Sequence, residues 1–211
     1  MEYDSLDCFR GIDTILVKQK KEMLEIFTGW ETNNRFEIKN KENEIIMYAA
    51  EDTDAGLRCC LGDDRPFTIN LINKTGRSLM RIQADVDCFT QNVSVQIPPG
   101  RPFASIFKEF AIMCPSFYVT DTDNGRILFR IDSGMSATLG SFGLVNFDIK
   151  GSDGRTVIGR ISKDWSGLGR ELFTDADHFG VSVPVDMDVQ WKAVLLALLF
   201  HIDMTFYQKS N

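Results

Sequence analysis

The chain is poor in groups suited to covalent chemistry. It contains two histidines, His178 and His201. His201 stands in a strongly apolar stretch, where a satisfied core histidine competes with a catalytic one, and His178 follows acidic residues as a solvated side chain. No Ser or Cys lies in a recognisable nucleophile motif, and neither a Gly-rich phosphate cradle nor Cys/His metal spacing is present. Glu51-Asp52-Thr53-Asp54 could lend carboxylates to an ion site, but an acidic turn is the commoner explanation. Arg160, Lys163 and Arg170 around Trp165 could meet a headgroup or serve as ordinary strand-face charges. Binding rather than catalysis is the chemistry these residue types allow; the protein is not a classical enzyme.

The cysteines number five, an odd count, and only Cys59 and Cys60 are neighbours. Vicinal cysteines rarely bridge each other, so no disulfide framework is visible and a cytosolic compartment is the better fit. Met1 to Leu16 lacks an apolar run of signal-peptide length, so a secreted product is not expected. The glycosylation sequons at Asn73 and Asn92 are then chance matches. The formal charge of −7 speaks against nucleic acid as a partner, because that affinity needs clustered Lys and Arg. It also speaks against a simple polybasic membrane patch. A divalent cation bridging acidic side chains to anionic lipid would reverse the local sign.

The elements that must position these residues are mostly short strands. With 211 residues, of which 44% are apolar and 25% charged, the chain fits one large domain, or at most two small ones. From Ile12 to about Ile161, twelve strand-like runs are separated by turn residues, among them Met23 to Thr28, Arg35 to Lys39 and Phe67 to Asn73. Phe36-Glu37-Ile38-Lys39 and Phe147-Asp148-Ile149-Lys150 alternate apolar and charged residues, which buries one face of a strand. Asn73 to Gly76, Thr122 to Gly125 and Ser152 to Gly154 supply the positive φ that hairpin turns need. About twelve strands favour a closed antiparallel barrel, which abolishes exposed edges. No repeat or linker interrupts the pattern, so a short lead over 1–11 and a single domain over 12–208 are expected.

Asp188 to Gln208 breaks the strand pattern. Trp191, Leu195, Leu198, Leu199, Ile202 and Phe206 recur at helical spacing, while Ala193, Leu196, Ala197 and Phe200 make the other sides apolar too. A helix apolar all round is buried in a core or in a bilayer. The uncharged run ends at Asp203, well short of the roughly 20 residues that span hydrocarbon. A helix threaded through the barrel, over 188–207, is the reading this length favours.

Several long blocks, in order, resemble the phospholipid scramblase family: Glu31 to Ile38, Ala49 to Asp54, Arg65 to Thr68, and Gly159 to Asp188 with Ile161-Ser162-Lys163, Trp165, Phe173 to Asp177 and Phe179-Gly180. The resemblance covers about Leu6 to Tyr207. It implies a tubby-like fold, a mainly β barrel closed around a central hydrophobic C-terminal helix. It also implies calcium-dependent, ATP-independent movement of phospholipids between leaflets, at the cytosolic face of the plasma membrane. The family's C-terminal membrane segment falls on Lys192 to Phe206, including Leu195, Leu199 and Asp203, the residues that the barrel reading buries instead. The proline-rich leader and dense cysteine run of many members have no counterpart here, and Asp85 to Pro99 keeps only Cys88. Cys59 and Cys60 match another family pair and are candidates for palmitoylation.

The family's proposed calcium segment falls on Asp175 to Asp186. As a 12-residue loop it places Asp175, Asp177, Phe179, Val181, Val183 and Asp186 at the ligand positions, with Gly180 at the sharp turn. Phe179 and Val181 would contribute carbonyl oxygens. So few carboxylates predict a weak calcium site, ~10⁻⁴ to 10⁻³ M. The alternative is a turn leading into an edge strand that carries Pro184. A phospholipid membrane is the implied partner. Protein partners are possible, and oligomers would be needed for scrambling, since one helix offers only His201 and Asp203 as a polar track.

Overall fold

The computed structural model describes residues 4–20, 34–52, 66–86, 91–109, 115–133, 146–162 and 178–206. Twelve antiparallel strands close into one barrel, each paired with its neighbours in sequence, and β1 meets β12 to complete the ring. The strands are β1 Thr14–Lys20, β2 Arg35–Lys39, β3 Ile45–Glu51, β4 Phe67–Ile72, β5 Ser78–Val86 and β6 Gln91–Gln96, followed by β7 Pro102–Glu109, β8 Ser116–Asp121, β9 Ile127–Ser133, β10 Phe147–Lys150, β11 Val157–Ser162 and β12 His178–Ser182. A 3₁₀ helix, Asp4–Phe9, precedes them and helix α1, Val189–Phe206, follows.

Alternation decides which way each strand faces. Phe36 and Ile38 on β2, Met47 and Ala49 on β3, Phe67, Ile69 and Leu71 on β4, and Phe147 and Ile149 on β10 are all buried in one core with Leu195, Leu198, Leu199 and Phe200 of α1. From Lys192 to Ile202 every α1 residue is buried, whichever side of the helix it occupies. The closed ring of strands surrounds the helix and buries it on every side. Phe36 meets Phe200 edge-on at 5.1 Å, a favoured aromatic geometry.

The hairpin turns of β2–β3, β4–β5, β6–β7, β8–β9 and β10–β11 lie at one end, together with the start of α1. Gly76, Gly125 and Gly154 carry positive φ in these turns, and Asn73, Asn124 and Asp153 accept bonds from backbone amides just ahead of the next strand. Each of the five hairpins shifts register by its turn. Such bulges sharpen strand bend and twist, which is what closing the ring requires.

The expected run Met23 to Thr28 lies outside the described residues. The twelfth strand is β12, which pairs on both sides, with β1 through Ile15↔Val181 and with β11 through Ile161↔Val181. It is therefore not an edge strand, and Pro184 sits just past its end, where no ladder amide is lost.

Candidate functional site

At the turn end, the 3₁₀ helix inserts Leu6 and Phe9, both fully buried, against α1 and β3. Lys192 holds this plug. Its Nζ, wholly buried, donates to the carbonyl oxygens of Ile12 and Val185 at 2.7 Å each and of Phe9 at 3.3 Å. One ammonium thus joins three segments that meet only in the folded chain. Burial lowers its pKa, opposed by the Asp13 and Asp186 carboxylates. Cys8, on the plug, is half-buried, and burial pushes its thiol up to about 11. The sequence signal for Lys192 is a lone lysine among apolar helix residues. Its acceptors, being backbone carbonyls, leave none.

Of the candidate metal ligands, Phe179 and Val181 stand on β12, and Val183 and Asp186 follow its end. Asp175 and Asp177, together with the lipidation candidates Cys59 and Cys60, lie outside the described residues. Phe179, Val181 and Val183 are buried and belong to the barrel core. The backbone from 178 to 182 is a strand paired on both sides, whereas a calcium loop turns its carbonyls toward one point. Asp186 is exposed at the turn end. The strand separates it from residue 178 by at least about 13 Å at the usual rise per residue. Among the described residues no three His, Cys, Asp or Glu side chains gather closely enough to hold a metal.

At the opposite end, His201 is fully buried between aromatic rings, 5.2 Å from Phe117 and 6.4 Å from Phe67. Thr205 donates to the His201 carbonyl at 2.8 Å. Leu195 and Leu199 are core residues, Asp203 is half-buried, and Phe206 ends the helix. Glu51 is fully buried at the end of β3, where the alternation of Met47 and Ala49 turns it inward, and it accepts a bond from the Asn34 amide. Sequence reading took Glu51 as part of an acidic turn or as a carboxylate for an ion site, and not as a core residue. No helix among the described residues is long and apolar enough to cross a membrane.

This arrangement is a barrel stoppered by its own N-terminal segment and filled by its own helix. Its sequence matches the Scramblase family model over residues 2–209. The chain belongs to the scramblase family. Scramblases similar to it include human phospholipid scramblase 1, 38% identical with 98% of this chain and 66% of the relative covered. Rat phospholipid scramblase 1 is 37% identical over 98% of this chain and 65% of the relative. Bovine phospholipid scramblase 2 is 37% identical, with 72% of the relative covered. The chain thus spans just under two thirds of the first two scramblases it matches. No solved structure matches it.

Proposed function

We propose that this chain moves phospholipids between bilayer leaflets without ATP and under calcium control, from the cytosolic face of the plasma membrane. The observation that carries this reading is the family match over nearly the whole sequence, with relatives named phospholipid scramblase. Asp175, Asp177 and Asp186 are the carboxylates proposed for calcium. Three carboxylates offer few charges to one ion, which supports an affinity of ~10⁻⁴ to 10⁻³ M. His201 and Asp203 alone make no path for a headgroup, so the polar track is assembled from several chains. Acylation of Cys59 and Cys60 is the proposed additional anchor. Reconstitution into liposomes carrying labelled lipid tests the activity. Calcium should trigger loss of leaflet asymmetry at physiological protein density, less so for Asp175→Ala, and no loss at any calcium level would end the reading.

A second reading is that the barrel docks on a membrane without itself moving lipid. The burial of α1 by its own strands favours it. Carbonate extraction separates the two: a docked barrel is released, whereas a chain that spans the bilayer stays.

A further inference from the structure

Four successive hairpins end in the same two residues: Gly76-Arg77, Gly100-Arg101, Gly125-Arg126 and Gly154-Arg155. Turn geometry explains the glycines. Three have positive φ, and a Cβ on Gly100 would press on the Ile97 carbonyl oxygen. Nothing in the turns calls for arginine. The Arg77, Arg126 and Arg155 amides are held by turn side chains, while all four arginines are exposed. Only Arg101 among them makes an ion pair with a described residue, an exposed one with Asp123.

Barrel order sets these turns side by side, β4–β5, β6–β7, β8–β9 and β10–β11, along one arc of the turn-end rim. The four turns hold Lys74, Arg77, Arg101, Arg126 and Arg155 against Asp121, Asp123 and Asp153, a basic sector on an acidic chain. The rest of the rim is acidic, with Asp7, Asp13, Glu42, Glu44, Asp186 and Asp188, and its Arg10 and Lys41 are paired to Asp7 and Asp13. Val157 and Val185, the large hydrophobics found exposed among the described residues, both lie on this rim. Each stands three residues from the Arg160↔Ser182 pair, on the same side of it.

We infer that this arc is the face by which the barrel docks on an anionic phospholipid surface; the inference rests on the membrane reading above. The four turns lie at one end of the closed barrel, so their guanidiniums can meet one sheet of phosphates together. The two valines fit an acyl-chain boundary and have no counterpart on a nucleic acid.

Flotation of the full chain with vesicles in EDTA tests the face independently of calcium. The variant R77Q/R101Q/R126Q/R155Q is compared with the charge-matched wall variant R81Q/K108Q/K150Q/R160Q, each with a parent-like thermal transition. The parent should bind phosphatidylserine–phosphatidylcholine vesicles, weaken as salt rises, and leave pure phosphatidylcholine unbound. The rim variant should bind about a hundredfold more weakly, the wall variant within about threefold of the parent. A rim variant that binds like the parent, or a wall variant that loses as much, overturns the arc and leaves membrane docking standing. A parent that binds no vesicle in EDTA, whether or not it binds single-stranded RNA through these arginines, overturns the lipid assignment of the arc. Binding restored by calcium leaves the membrane reading standing, and none with calcium overturns that reading too.

Discussion

At the residue scale, a buried cation of α1 holds an N-terminal plug that carries a half-buried thiol, and the two can be read against each other. Raising the Cys8 thiol from 9.0 to about 11 lowers its thiolate fraction near pH 8 about a hundredfold, and the thiolate is the reactive form. Alkylation of Cys8, followed on its own peptide by mass spectrometry, should be slower than that of a model thiol by about that factor. Because the folded-state pKa is the higher one, the folded chain holds its proton more tightly. The associated stability, about 2 kcal/mol, is intact below pH 9 and disappears as pH climbs to about 11. An unfolding free energy that stays flat across that interval in the parent, relative to Cys8→Ala, would contradict the burial. Lys192→Met keeps the volume but leaves its carbonyl acceptors without their ammonium donor. Lifting the plug lets water satisfy them, so local opening should become easier by about 1.4 kcal/mol and Cys8 alkylation about tenfold faster. An unchanged rate in Lys192→Met would mean that the ammonium does not hold the plug. Only the lone lysine was legible beforehand: six residues of 3₁₀ helix show no periodicity, and the acceptors of Lys192 lie up to 183 positions away.

At the scale of elements, alternation made the strands legible and turn chemistry made the hairpins legible. Arg35–Lys39 emerged with its ends as read, and α1 at Val189–Phe206 lies within the Asp188 to Gln208 pattern. β12 was harder to read, because Asp175 to Asp186 suits a loop by its spaced carboxylates and a strand by Phe179, Val181 and Val183. Burial of those three side chains favours the strand in the folded chain. The seam between β11 and β12 holds three register pairs, Arg160↔Ser182, Ile161↔Val181 and Ser162↔Gly180. Beside them Gly159 lies so close to its neighbour that an added Cβ would collide with the Ser182 carbonyl oxygen and press on Ile149. Gly159→Ala should therefore cost about 2–3 kcal/mol in urea unfolding, the range of an overpacked core site. Loss of less than about 0.5 kcal/mol would show that the seam can part without consequence. The Gly-Arg turns are the converse case: each pair is plain in the sequence, but only the order of strands around the ring shows that four of them share a rim.

At the scale of the whole molecule, the question is whether α1 can leave the barrel for a bilayer. Hydrocarbon would solvate Leu195, Leu199, Phe200 and Ile202 about as well as the core does, so the helix itself loses little by the exchange. The strands lose their filling. Phe36, Ile69, Val95, Ile131 and Phe147 line the same core, and a vacated lumen would expose them to water or collapse the ring, since interiors tolerate few voids. Insertion of α1 and survival of the barrel are therefore mutually exclusive. Hydrogen exchange distinguishes the two states, provided it is read on the strands, because helix amides stay protected in either setting. With anionic vesicles and calcium present, amides of β2, β4 and β9 should keep the slow exchange they show in buffer, to within about 1 kcal/mol of opening free energy. Collapse of that protection on vesicle addition would mean that the helix has entered lipid and that the closed barrel is the state the protein leaves in order to act.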